Sequence, residues 1–353
     1  MFNVLLETQN YIMKHVVIMA GGVGSRFWPI STPEYPKQFI DILGCGRTLI
    51  QLTVDRFKHV CPDSNFWVLT NERYIDIVKR QLPSITTSHI LTEPVMRNTA
   101  PCIAWACWCI HKEDPEANIV VTPSDAVVLD SKEFHRVILS AMDFTEENNA
   151  IVTIGIKPNR PEVGYGYVQA ADIVSGEIRR VTAFKEKPDL ETAKEYLSLG
   201  NFLWNAGIFV WNVNTIIQAI RKYKPQIALK MDDIIKTGDV QTIFPECEKI
   251  SIDYAIMEPA AGDKMVYTFP SDFGWSDLGN WQSLYEKLKK DEYNNAVVGN
   301  VRLFGCSNCI VHAEEARTIV LQGLNDYIIS EKEGQILVCK RCEEQNIKKF
   351  INE

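Results

Sequence analysis

Four apolar runs, each short enough for a strand and bounded by glycine, proline or polar residues, punctuate the first half of the chain. They are KHVVIMA from Lys14, NFWVLTN over 65–71, NIVVTPSDAVV over 118–128 and AIVTIGI over 150–156. Continuous runs rich in β-branched residues, with no polar alternation, belong to strands covered on both faces, as in a parallel sheet. Between them, TLIQLTVDRFKHV, ERYIDIVKRQL, TAPCIAWACWCIHKE and SKEFHRVILSAMDFTEE place apolar residues at helical spacing. Strand and helix in alternation predict βαβ units. The fold class is therefore α/β, with a doubly wound, mixed but mostly parallel sheet whose ligand edge lies beyond the strand C-termini.

From about residue 157 the pattern loosens into hairpins and longer loops, GYGYVQA, RVTAFKEKPD and FLWNAGIFVWNV, followed by helical TIIQAIRKY and QIALKMDDIIK. This predicts an inserted lobe on the same sheet. After WQSLYEKLKKD, short alternating strands run over 295–340 and end in helical EEQNIKKFIN, a small β appendix. The domain plan is an N-terminal extension over 1–13, a main domain over 14–290 carrying the lobe, and a β-rich domain over 291–353.

Composition narrows the function. The chain has 353 residues, 46% hydrophobic, with a formal net charge of −8, so it buries a sizeable core and its overall field does not attract nucleic acid or an anionic membrane. A polyanionic ligand must be held by local cations. No run approaches the ~18 apolar residues of a membrane span, and MFNVLLETQN lacks the basic leader and cleavage site of a signal peptide. Cytoplasm is the expected location, with Met13 as an alternative start. The ten cysteines, several inside CIAWACWCI, fit a reducing compartment in which thiols serve as small hydrophobes. CSNC (Cys306, Cys309) and CKRC (Cys339, Cys342) have zinc half-site spacing. On a strand, residues i and i+3 face opposite sides, so zinc would require sharp turns at Ser307–Asn308 and Lys340–Arg341; buried or edge thiols are the alternative.

The chemistry concentrates in MAGGVGSRFWPISTPEYPKQF, residues 19–39. Its third Rossmann glycine is replaced by Phe27, and the lysine of a Walker loop is displaced downstream to Lys37. Pro29, Pro33 and Pro36 keep the loop extended. Gly21, Gly22 and Gly24 let backbone N–H groups converge on an anion, Arg26 offers a planar fork and Lys37 a point charge. The set suits a triphosphate.

The segment AGGVGSRFWPISTPEYPKQF resembles the signature of sugar nucleotidyltransferases, and its Trp-Pro with PKQF is similar to the mannose-1-phosphate guanylyltransferase branch. The resemblance continues through TEPVMRNTAP, TPSDAVV, EVGYGYVQ, FKEKP, WNAGIFVW, SIDYAIME and FGWSDLGNW, nearly the whole chain from residue 14. It implies a Rossmann-like nucleotidyltransferase with a β-helix-like tail, converting GTP and mannose 1-phosphate to GDP-mannose and diphosphate. A sugar phosphate oxygen attacks the α-phosphorus in line, so the protein supplies cations and a Mg2+ site rather than a nucleophile.

Asp125 ends a buried strand and Asp277 lies in a glycine-flanked loop; the resemblance makes them the metal pair, and with Arg26 and Lys37 the catalytic set. Ala20, Gly21, Gly22, Gly24, Ser25, Arg26, Glu93, Arg97, Asn98 and Ser124 are the nucleotide-binding candidates. Glu93 can accept from guanine N1–H and its exocyclic amine together, or else salt-bridge Arg97. Gly166, Glu186, Lys187, Asn205 and Asp253 are the sugar-phosphate candidates, although Asp253 suits the first turn of a helix equally. Trp204, Trp211, Trp275 and Trp281 read as core or cleft wall. Ala126 stands where the family commonly has histidine, and activity is expected to survive this departure.

Other readings are another base or hexose 1-phosphate, a non-catalytic regulatory relative, and a dinucleotide oxidoreductase. Phe27 and the prolines count against the last. Retention of Arg26, Lys37, Asp125, Lys187 and Asp277 counts against the second. The stretch after WQSLYEKL is too short and histidine-poor for an isomerase domain, so no isomerase activity is expected. The appendix closes against the main domain or builds a homodimer.

Overall fold

The computed structural model describes residues 14–22, 25–314 and 316–352; the extension expected over 1–13 lies outside them. Two compact units result. One holds the described residues up to Gly21 with Arg56–Pro123 and Val128–Trp275; the other holds Gly22–Asp55, Ser124–Val127 and the chain from Ser276 onward.

The first unit is built on nine strands: β1 (Lys14–Met19), β2 (Phe66–Asn71), β3 (Ile90–Glu93), β4 (Asn118–Pro123), β5 (Ile151–Ile156), β6 (Tyr167–Ser175), β7 (Ile178–Lys185), β8 (Phe202–Asn212) and β9 (Val266–Ser271). They form one mixed sheet in the order β3-β2-β1-β4-β8-β5-β9-β7-β6. β1 to β4 pair in parallel, as do β5 and β9, and β8 runs antiparallel between β4 and β5. The β6–β7 hairpin of the inserted lobe extends the same sheet, as expected. β5 is buried along its whole length and β1, β2 and β4 up to their last residue, which is why their sequences show no alternation.

Helix Thr99–Glu113 buries ten of its fifteen residues, Cys102 and Cys107 among them, so its apolar residues run all round rather than along one stripe. Helix Ser131–Glu147 starts where Asp130 accepts from the backbone N–H groups of Lys132 and Glu133. Among the described residues no helix is long and apolar enough to cross a membrane.

The second unit ends in β10 (Ala296–Val298), β11 (Val301–Phe304), β12 (Ile310–His312), β13 (Ile319–Gln322), β14 (Tyr327–Lys332) and β15 (Gln335–Lys340). β10, β12 and β14 stack in parallel with β15 antiparallel at the edge, while β11 and β13 form a second parallel pair. Successive coils thus alternate between two sheets, with Cys309, Val311 and Ile329 packed inside against Val301, Leu303 and Leu321. On the other face, Ile310, Ile328 and Leu337 share a core with Phe27, Ile30, Ile40, Ile42, Leu278 and Trp281. The compact unit therefore does not begin at residue 291. The proline-stiffened loop and residues 276–290 belong with the β-rich tail, because their apolar side chains are buried there.

The coil turns are sterically tight at one point. Gly299 sits at φ +98° and an added Cβ would lie 2.3 Å from the Ala313 carbonyl oxygen. Gly299→Ala is expected to destabilise this unit by about 3 kcal/mol, read as a lowered midpoint in chemical denaturation. All ten cysteines are free. Cys306 donates to the Phe304 carbonyl and Cys309 to those of Ser307 and Leu324, and Cys342 is exposed. Asn308 does make a sharp turn, at φ +53°. Among the described residues, however, no group of three or more His, Cys, Asp or Glu is placed to hold a metal, so the zinc alternative finds no support.

Candidate active site

In the second unit the signature loop closes on the GWSDLG turn. Lys37 opens a short 3-10 helix, Lys37–Phe39, all of it buried, and its ammonium donates to the carbonyls of Asp277 at 2.7 Å and Leu278 at 3.0 Å. The same Nζ lies 3.0 Å from Asp125 Oδ2. Arg26, exposed, donates from Nη1 to the next carbonyl, Gly279, at 3.2 Å. Three consecutive carbonyls of one turn are thereby capped by two cations. The turn itself is held open by Leu278 at φ +44°, its side chain fully buried, and by Gly279 N–H donating to Asp277 Oδ1.

Asp125 follows the β4 end as expected and is half-exposed. Beside it, Ala126 is buried, and the carbonyl of buried Ser124 accepts from Thr53 Oγ1. Gln38, which the sequence reading passed over, donates from its amide to the Gly22 carbonyl at 2.8 Å. Two carboxylates flanking carbonyls that already gather around a cation are hard oxygen donors of the kind Mg2+ takes, so these residues fit that ion. Gly24 and the Ser25 side chain lie outside the described residues.

The first unit carries the base candidates. Ala20 N–H donates to Leu69 O, and its carbonyl accepts from Thr70 Oγ1. Neither Gly21 nor Gly22 has a positive φ, so these two do not use the conformational freedom expected of them. What Gly21 provides is room, since an added Cβ would lie 3.4 Å from Glu93 Oε1. Glu93, at the end of β3, is 7% exposed. Burial pushes its carboxyl up to about 7 against the pull of the Arg97 backbone N–H and the Cys102 thiol. The Arg97 guanidinium goes to the Pro245 carbonyl, so the alternative of a Glu93–Arg97 salt bridge is not what the loop forms. Asn98, at φ +66°, caps helix Thr99–Glu113 by accepting from Thr99 N–H.

The sugar candidates meet in the same unit. Gly166 lies so close to Glu186 that a Cβ would stand 2.5 Å from Oε2, and its carbonyl accepts from Asn205 N–H. Asn205 Oδ1 accepts from Thr153 Oγ1 and Gly207 N–H, which orients its amide to donate to Asp253 Oδ1 at 3.1 Å. Asp253 opens a single π-turn, Asp253–Met257. Burial first, then the Glu186 charge, pushes it up to about 6. Lys187, exposed and at φ +45°, pairs with Glu186 Oε1 at 3.0 Å. Tyr165 stands edge-on to both Trp204 and Trp275, while Trp211 and Trp281 are fully buried.

The profile of the nucleotidyl transferase family matches residues 15–294. The chain belongs to this family. The mannose-1-phosphate guanylyltransferase of Escherichia coli (strain K12) is 34% identical over 353 residues, covering 96% of this chain and 72% of that one. The enzyme of that name from Salmonella montevideo is 36% identical over 352 residues, with 95% and 72% covered. The crystal structure of mannose-1-phosphate geranyltransferase from Thermus thermophilus matches with a TM-score of 0.89 at 26% identity, over 96% of this chain and 98% of that one. Within the family, this nucleotidyl transferase falls in the mannose-1-phosphate guanylyltransferase branch.

Proposed function

We propose that the chain is a Mg2+-dependent mannose-1-phosphate guanylyltransferase, joining GTP to mannose 1-phosphate and releasing diphosphate. The observation that carries this reading is the ordering of Arg26, Lys37 and Asp125 about the Asp277 turn. It offers cations and carboxylates and asks for no covalent nucleophile, which is what phosphoryl transfer between two polyanions requires.

In this reading Arg26 holds triphosphate oxygens through its planar fork. Glu93, as carboxylate, accepts from guanine N1–H and the amine, and Gly21 leaves space beside it. Glu186 and the oriented Asn205 amide take sugar hydroxyls, and Lys187 leaves Glu186 for the sugar phosphate. Asp125 and Asp277 would hold Mg2+, which when bound would supply positive charge beside the phosphate oxygens. The remaining work is orientation: with the two substrates aligned in line, most of the barrier reduction comes from proximity and charge. Ten free thiols support a reducing, cytoplasmic setting.

The test is a one-pot competition of the four nucleoside triphosphates with mannose 1-phosphate and glucose 1-phosphate in Mg2+, products being identified by mass and chromatography. GDP-mannose with diphosphate is the expected product. A different base in the product overturns the role of Glu93, a different sugar overturns the substrate, and nucleotide binding without product returns the chain to the regulatory reading.

A further inference from the structure

Thr153 is the one polar side chain of β5, fully buried in an apolar run where valine would fill almost the same space. A buried hydroxyl costs free energy unless its proton is taken. Here Asn205 Oδ1 accepts it at 2.8 Å, the Ile208 carbonyl being a longer alternative at 3.4 Å. The irregular pairing of β5 with β8 makes that contact. Thr153 faces Phe209 but Gly155 faces Asn205, so four steps along β8 pass two along β5, and Gly207 sits inside the excess at φ +68°. In that conformation the Gly207 N–H donates to the same Oδ1 at 3.2 Å.

A backbone N–H can only donate, so Gly207 settles which end of the Asn205 amide is oxygen. Both lone pairs of that oxygen are then filled, by Gly207 and Thr153, and one amide N–H goes to Asp253 Oδ1 at 3.1 Å. The other amide N–H has no partner among the described residues. An added Cβ on Gly166 would lie 2.5 Å from Glu186 Oε2 and 3.6 Å from Asn205 Cβ, so carboxylate and amide border one point. We propose that Thr153 is a positioning residue of the sugar site. Its hydroxyl holds the Asn205 oxygen and leaves the amide able only to donate, so that a substrate hydroxyl accepts from Asn205 and donates to Glu186. The proposal rests on the reading of Asn205 and Glu186 as sugar contacts, and adds to it a buried residue that acts through the amide. Without the threonine hydroxyl, the longer bond from Gly207 is what holds the oxygen, and the amide turns away from the sugar more readily.

Thr153→Val removes the hydroxyl and keeps the shape. The KM for mannose 1-phosphate is expected to rise about tenfold, the loss of about one hydrogen bond, with kcat and the KM for GTP within about twofold of wild type. Thr153→Ser restores the hydroxyl and is expected to bring that KM back to within about threefold. In an Asn205→Ala background, Thr153→Val is expected to change kcat/KM by less than about a further twofold, because the residue it acts through is gone. A KM unmoved by valine, a serine variant that behaves like the valine one, or the full tenfold loss in the Asn205→Ala background overturns the proposal and leaves Thr153 as packing. A second readout needs no turnover. In protein carrying 15N in its asparagine side chains, the Asn205 amide signals, identified by their loss in Asn205→Ala, are expected to shift in Thr153→Val and to return in Thr153→Ser. Signals unmoved by valine overturn the anchoring. Should the wild type make no GDP-mannose, the sugar reading fails, yet the amide signals still decide what Thr153 holds. Thr153→Ala takes the place of the valine variant if that one does not fold.

Discussion

The Asp125→Asn substitution is expected to abolish turnover, with kcat down by at least about a thousandfold, and Asp277→Asn to do the same. Both substitutions are expected to be nearly silent for the fold. An asparagine in place of Asp125 keeps an oxygen for the Lys37 ammonium, which retains its two carbonyl acceptors as well. An asparagine in place of Asp277 keeps the oxygen that accepts from Gly279 N–H, so the turn survives. What each variant loses is one negative charge at the place proposed for Mg2+, and with it the neutralisation of the transferring phosphate. The measurement is kcat at saturating GTP, mannose 1-phosphate and Mg2+ beside a melting curve. A variant that melts within a few degrees of wild type and keeps more than about a tenth of its rate rules out that carboxylate as a metal ligand.

Much of the fold is legible in the chain itself. A strand buried on both faces announces itself as an unbroken β-branched run, and all four such runs are strands. The tail is readable as short strands for the same reason. The unit boundary is not, because Phe27, Ile30, Ile40 and Ile42 sit in a loop with neither period, and nothing in their spacing says which core receives them. Lys37 shows the deeper limit. Its sequence advertises a charge, but its partners are mostly backbone carbonyls, which every residue carries and no sequence distinguishes.

Asn98 is a missed signal of a different kind. An Asn–Thr pair directly before an apolar helical run is a cap signature, whereas the motif around it suggests a nucleotide contact. Cys102 is similar: inside CIAWACWCI it reads as filler, yet its thiol faces the Glu93 carboxyl.

Replacing Glu93 with glutamine is expected to collapse discrimination between GTP and ITP while making the protein more stable at alkaline pH. In the proposed wild-type complex a carboxylate accepts from both guanine donors; glutamine would turn an N–H group toward one of them, and kcat/KM for GTP is expected to fall about a hundredfold. ITP, lacking the amine, loses less, so the ratio drops. The pH dependence follows from burial, which pushes Glu93 from 4.5 up to about 7. Between those values the folded protein holds a proton that the unfolded chain has released. The contribution of Glu93 to stability is therefore full below about pH 4.5 and is lost as pH rises through 7, where the buried carboxylate costs on the order of 3 kcal/mol. Glu93→Gln removes that slope, so its advantage over wild type grows from about pH 4.5 to about pH 8. The catalytic slope has the opposite sense, because guanine needs the ionised form. Wild-type kcat/KM for GTP is expected to climb as pH passes about 7, and the variant to lack this limb. Rates with GTP and ITP from about pH 5.5 to about pH 8.5, set beside denaturation at both ends, test the two together. A variant that keeps the wild-type GTP to ITP ratio removes Glu93 as the reader of the base, whatever its stability does.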